Sequence, residues 1–179
     1  MTTYIGVLRA INIGSHNRIA MADLRAMLEK VGCEDPRTLI VSGNVVFRNA
    51  SSSSEKVEKL LEAASTKHLG VTTDYFVRSA KEWGAMIAAN PFPKEAKSDP
   101  GHLIMMCLRG APAAAQVKAL QAAIKGRESV AVKGNHAYFV YPDGIGRSKL
   151  TIKMIEKAFG TTGTARNWNT VLKLRELAQ

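Results

Sequence analysis

The sequence predicts an α+β fold made of two ferredoxin-like halves, a duplication whose second copy is imperfect and ends in a C-terminal helix. Three observations predict it. Residues 3–78 read strand, helix, strand, strand, helix, strand. After a proline-bearing stretch the same order restarts near residue 102. Short segments also echo between the halves: Leu8-Arg9-Ala10 with Leu108-Arg109-Gly110, and Val41-Ser42-Gly43-Asn44 with Val132-Lys133-Gly134-Asn135.

Taken in order, residues 3–10 are rich in Tyr, Ile, Val and Leu and form a buried strand, followed by a polar loop from Asn12 to Arg18. Met21, Leu24, Met27, Leu28 and Val31 recur at three and four, which makes a helix that stops near Gly32. The β-branched runs 38–42 and 45–48 flank Ser42-Gly43-Asn44, a hairpin signal because Gly and Asn tolerate positive φ. Ser52 with Glu55 reads as a capping box for a helix carrying Val57, Leu60, Leu61 and Ala64. Residues 72–78 give a further strand, and Ser79 with Glu82 caps a helix bearing Trp83, Met86 and Ile87 that stops before Pro91.

The domain division expected is a first subdomain over 1–90, a connector over 91–101, and a second subdomain over 102–179. In the second, strand 102–109 precedes a helix over 113–125, opened by Pro112 and closed by Gly126. Strands 129–133 and 137–141 follow, then helices near 149–159 and 165–178. No sixth element of strand type is legible in that half.

Composition narrows the function. With 179 residues, 46% hydrophobic and 22% charged, the chain buries a core without metal or disulfide. Twenty-five Lys and Arg against 15 acids give a net charge of +10, with eight basic and three acidic side chains after residue 132. Such a balance favours an anionic small molecule, and leaves nucleic acid open as a partner. Cys33 and Cys107 stand alone, with no zinc or redox spacing, which fits a reducing, cytoplasmic setting. No secretory signal or membrane-spanning run is readable, so a membrane partner is not expected.

Three segments carry a resemblance: Arg9-Ala10-Ile11-Asn12-Ile13-Gly14, Ser42-Gly43-Asn44-Val45-Val46-Phe47, and Gly146-Arg147-Ser148-Lys149-Leu150 with Ala165-Arg166-Asn167-Trp168-Asn169-Thr170. Together they resemble the uncharacterised bacterial domain-of-unknown-function family 1697, from about Tyr4 to the C-terminus. The resemblance implies two ferredoxin-like subdomains and no established activity, substrate, cofactor or catalytic residue. Ala10 stands where the family usually has Gly, and its Cβ would restrict a close backbone approach to a ligand there.

Candidate ligand-binding residues fall in three places. Asp143-Gly144-Ile145-Gly146-Arg147-Ser148-Lys149 lies between a strand and a helix, with Ser148 placed to cap the helix and its first N–H groups open to an anion. Its order fails the phosphate-loop pattern of nucleoside triphosphatases, and the structural alternative is an ordinary strand–helix turn. Thr164 reads as the cap of the last helix, near Arg166, Asn167 and Asn169, which suit a carboxylate or phosphate. The alternative there is a helix docked by Trp168. The loop of Arg9 and Asn12, with Asn44 in the neighbouring hairpin, offers surplus donors and acceptors. The alternative is a tight turn held by Asn side chains.

Classical catalytic sets are absent. His16, His68, His102 and His136 are scattered, and only His16 or Asp143 suggest themselves for acid–base work. The sequence points first to an anion-binding protein, or a phosphate-handling enzyme without a legible reaction. Second stands a structural or regulatory interaction module without catalysis. Nucleic-acid binding is third, because Lys133-Gly134-Asn135-His136-Ala137-Tyr138-Phe139-Val140 starts like an RNA-recognition signature but lacks its aromatics.

Overall fold

A computed structural model describes all of residues 1–179 and resolves into two four-stranded antiparallel sheets and seven helices. The chain divides into two compact units. The first holds Met1–Ala85 with Lys173–Gln179, and the second holds Met86–Leu172.

In the first unit, β1 (Thr2–Leu8) leads to α1 (Met21–Lys30), β2 (Glu34–Thr38), β3 (Asn44–Asn49), α2 (Ser54–Leu69), β4 (Tyr75–Ser79) and most of α3 (Ala80–Ala88), whose last three residues belong to the second unit. The strand order is β2-β3-β1-β4, with Val7 opposite Asn44 and Leu8 opposite Tyr75. Strand periodicity sends Tyr4, Leu8, Val45, Phe47, Tyr75 and Val77 to one face, where Leu24, Leu28, Val57 and Leu61 of α1 and α2 complete a core. Ile5, Val7, Val46 and Phe76 alternate with them and are buried too.

After α4 (Pro93–Ser98), the second unit runs β5 (Leu103–Leu108), α5 (Ala114–Ala123), β6 (Ser129–Lys133), β7 (His136–Val140), a short 3-10 turn (Ile145–Arg147), α6 (Ile152–Phe159), β8 (Gly163–Asn167) and α7 (Trp168–Leu177). Its strand order is β6-β7-β5-β8. Met106, Leu108, Ala137, Phe139 and Tyr141 form its core with Leu120, Ile155 and Phe159. No helix of either unit is long and apolar enough to cross a membrane.

Several elements differ from the sequence expectation. The strand expected at 38–42 lies instead at 34–38, and Leu39–Gly43 are the connection. Strand β2 is an edge strand, where Pro36 is tolerated because no ladder donor is lost. A register irregularity between Glu34 and Arg37 absorbs Asp35, whose φ is 49°. Ser53, not Ser52, caps α2 by accepting from the Lys56 N–H.

The region expected as helix from 165 begins as strand β8, so the second unit does have a fourth strand, and Thr164 lies within it rather than capping a helix. Asn167 caps α7, its Oδ1 accepting from the Thr170 N–H at 3.0 Å. Gly163 allows β8 to close on β5, since a Cβ there would sit 2.7 Å from the Cys107 carbonyl oxygen. Trp168, at the start of α7, is buried. The helix begins in the second unit and ends in the first, where Arg175 donates to the Ala80 carbonyl.

Candidate functional site

The segment after β7 builds the most ligand-like feature of the second unit. Gly144 adopts φ 83° and reverses the chain, its N–H donating to the Tyr141 carbonyl at 2.9 Å. The N–H groups of Arg147 and Ser148 donate to the carbonyls of Gly144 and Ile145, closing the 3-10 turn. These donors are therefore taken internally. Helix α6 begins at Ile152 and is capped by Thr151, whose Oγ1 accepts from the Met154 N–H. Ser148 is thus not the helix cap. It donates to the Glu128 carboxylate and accepts from the Leu150 N–H at 3.0 Å. The expected anion nest at a helix start is absent, because Ser148–Thr151 separate the turn from α6.

What the turn makes instead is one wall of a hollow of about 500 Å³. The opposite wall is Lys125–Glu128, which leaves α5 after the helix ends at Ala123. Leu120, Ile124 and Leu150 give it an apolar floor. Tyr141 holds that floor by donating its hydroxyl to the Leu150 carbonyl at 3.0 Å, and burial pushes its own ionisation well up.

Two polar ties stitch the walls together: Arg127 with Asp143 through two hydrogen bonds, and Ser148 with Glu128. The Arg127 guanidinium holds the Asp143 carboxyl below its ordinary range, with Arg147 and His102 adding to the effect. Asp143 is thereby an ionised partner, poorly suited to take a proton. Lys125, Arg147 and Lys149 line the same hollow, are exposed and make no ion pair. Of the residues singled out in the sequence, the structure brings Arg147, Ser148 and Lys149 together here.

The others do different things. Arg166 in β8 donates to Thr164 Oγ1 and the Ala165 carbonyl, and burial lowers its pKa to about 10. Asn167 caps α7, and Asn169 is exposed on its first turn. In the first unit, the Arg9 guanidinium lies 3.8 Å from the Asp74 carboxylate, half-exposed. Asn12, at φ 55°, donates to the Ile19 and Val41 carbonyls and accepts from the Ile19 N–H. Asn44 is fully buried and donates to the Leu39 carbonyl and Ser42 Oγ. These two amides hold loops together. His16 is exposed in its loop, and no group of His, Cys, Asp or Glu is arranged to hold a metal ion.

Sequence reasoning missed Lys125, Arg127 and Glu128. The signal was available in a charged run, Lys125-Gly126-Arg127-Glu128, placed just past a helix stop. It also missed the pairing of His102 Nδ1 with Asp99 at 2.8 Å.

The family described as "Protein of unknown function (DUF1697)" matches residues 1–138. The chain belongs to this family. The match to DUF1697 takes in the Lys125–Glu128 wall and stops short of the turn at 143–149. No curated protein matches. Among solved structures, a conserved bacterial protein from Streptococcus pneumoniae, SP0830, is 22% identical and covers 99% of each chain at a TM-score of 0.76. That likeness shows that this DUF1697 member and SP0830 share a fold.

Proposed function

We propose that this protein binds a small ligand that joins an apolar body to an anionic group such as a phosphate, and that the hollow between Lys125–Glu128 and Asp143–Lys149 is its site. The observation that carries the reading is the lining itself: three cations without ion pairs stand over a floor of Leu120, Ile124 and Leu150. Charged contacts to phosphate are stronger than neutral hydrogen bonds, and an apolar floor adds affinity in proportion to the area it covers. Nucleic acid is less well served, because the large exposed apolar side chains include no aromatic on which a base would stack. No reaction is assigned.

The fold side of the reading is a ferredoxin-like duplication. Both sheets have the order expected for it, first strand central beside the fourth, and both units run β-α-β-β-α-β. Backbone bonds repeat as well. Leu8 donates to the Gly43 carbonyl and Leu108 to that of Asn135, while Arg9 donates to Asp74 and Arg109 to Thr162. The Gly-Asn echo is displaced by one residue, since Asn44 pairs with Val7 as His136 pairs with Cys107. Gly43 therefore corresponds to Asn135 rather than to Gly134.

Calorimetric titration of the full chain with phenyl phosphate and with inorganic phosphate tests the binding reading. Saturable binding is expected, tighter for phenyl phosphate and weaker as ionic strength rises. Arg147→Ala with Lys149→Ala should lower affinity at least tenfold. Equal affinity in wild type and variant, or no binding of either probe, refutes it.

A further inference from the structure

The hollow of the second unit has a lining that selects among anions. Its charged side chains are Lys125, Arg127, Arg147 and Lys149 against Glu128 and Asp143, an excess of two positive charges. A phosphate monoester brings roughly −1.5 to −2 near neutral pH, which matches that excess. A carboxylate or a phosphate diester brings only about −1 and leaves a cation uncompensated, while a diphosphate brings more than the hollow offsets. The charges are also in place before a ligand arrives. Arg127 with Asp143, and Ser148 with Glu128, fasten the two walls to each other, which lowers the ordering penalty of binding.

The rest of the lining describes the body that the phosphate carries. Leu120, Ala123, Ile124, Leu150 and Met154 are aliphatic or thioether side chains, and no aromatic joins them. A nucleoside would find no ring to stack on, and its sugar and base edges would lie against groups that form no hydrogen bonds. Met154 of α6 is 47% exposed, an apolar side chain left in water beside that floor. A flexible thioether adapts to a chain of variable shape. Granted that the hollow binds an anion, as proposed above, we infer that its ligand is an alkyl phosphate monoester. The phosphate sits among Lys125, Arg147 and Lys149, and the aliphatic chain runs along the floor towards Met154.

Calorimetric titration of the full chain with hexyl phosphate, methyl hexyl phosphate, adenosine monophosphate and phenyl phosphate tests it. Hexyl phosphate should bind at least tenfold tighter than its methyl ester, which has the same chain and one charge fewer. It should exceed adenosine monophosphate, with the same charge and a nucleoside body, by a similar factor. Lengthening the chain from butyl to hexyl should gain about two- to fourfold per methylene, as expected for a buried CH₂. The preference over the methyl ester should shrink in Arg147→Ala, and the gain per methylene in Met154→Ser. Equal affinity for the methyl ester or for adenosine monophosphate, or no gain with chain length, overturns the alkyl monoester. If phenyl phosphate still binds in those cases, the broader binding reading survives; if no probe binds, both fail. Vesicles of phosphatidylcholine with phosphatidic acid identify the source. Vesicle binding that hexyl phosphate displaces makes it a lipid headgroup, and hexyl phosphate binding without vesicle binding makes it a free ester.

Discussion

Backbone strain and local charge act at single residues in this protein. Left-handed φ angles at Ala10 (51°) and Ile40 (53°) each place a Cβ where glycine would carry none. A glycine at position 10 would accept this conformation without crowding. Ile40→Gly should raise unfolding free energy by about 1 kcal/mol, strain relief exceeding the added freedom of the unfolded chain. Urea denaturation measures it, and a loss of stability would mean that the exposed Ile40 side chain packs in a way its accessibility hides.

Asp143 offers a second residue-scale test. Its carboxyl is held below the ordinary 3.8 by Arg127. A depressed folded value means that the tie is fully present above the unfolded value and is lost only as pH falls through the folded one. The carboxyl resonance of Asp143 should therefore titrate below 3.8 in wild type and shift upward in Arg127→Ala. Coincident midpoints would show that the two side chains do not pair in solution.

Among the elements, the edge strands are the ones under control. A free edge exposes N–H groups that template association with another chain. On β4, those of Tyr75 and Val77 donate to the carboxylates of Glu62 and Glu58, one turn apart on α2. On β8, Gly163 donates in the same way to Glu156 of α6. Glu58 also accepts from Arg78, both side chains being only 7% exposed. Glu58→Ala leaves a buried guanidinium short of its carboxylate and a strand donor unmet, so a loss of about 3–5 kcal/mol is expected in denaturant titration. A loss below about 1 kcal/mol would place Glu58 among ordinary surface residues.

These edges also explain what was legible in the sequence. Helices α1, α2 and α5 and the central strands β1, β3, β5 and β7 announce themselves, because burial imposes an apolar period on them. Edge strands escape that rule. Glu34-Asp-Pro-Arg-Thr looks like a turn and Leu39-Ile-Val like a strand, yet the structure assigns the reverse. Gly163-Thr-Ala-Arg-Asn carries no apolar run because close backbone approach, not side-chain packing, seats it. At the hollow, Arg147, Ser148 and Lys149 were legible as a polar turn. Their partners on Lys125–Glu128 were not, since only folding brings residues 16 to 20 positions apart into hydrogen-bonding distance.

For the whole molecule, the decisive feature is the path of α7. The second unit is one continuous stretch, Met86–Leu172, whereas the first consists of Met1–Ala85 and the terminal Lys173–Gln179. Val171 and Leu174, both fully buried, lie on either side of that division. A chain made from its N-terminus onward therefore meets the two units in an inverted order of completion. The first 85 residues emerge early but wait for their closing segment while the whole second unit is synthesised. At about 5–20 residues per second that wait lasts roughly 4–18 seconds. The second unit has all its residues before the first does, and synthesis of Lys173–Gln179, rather than emergence of the opening half, becomes the event that lets the first unit close.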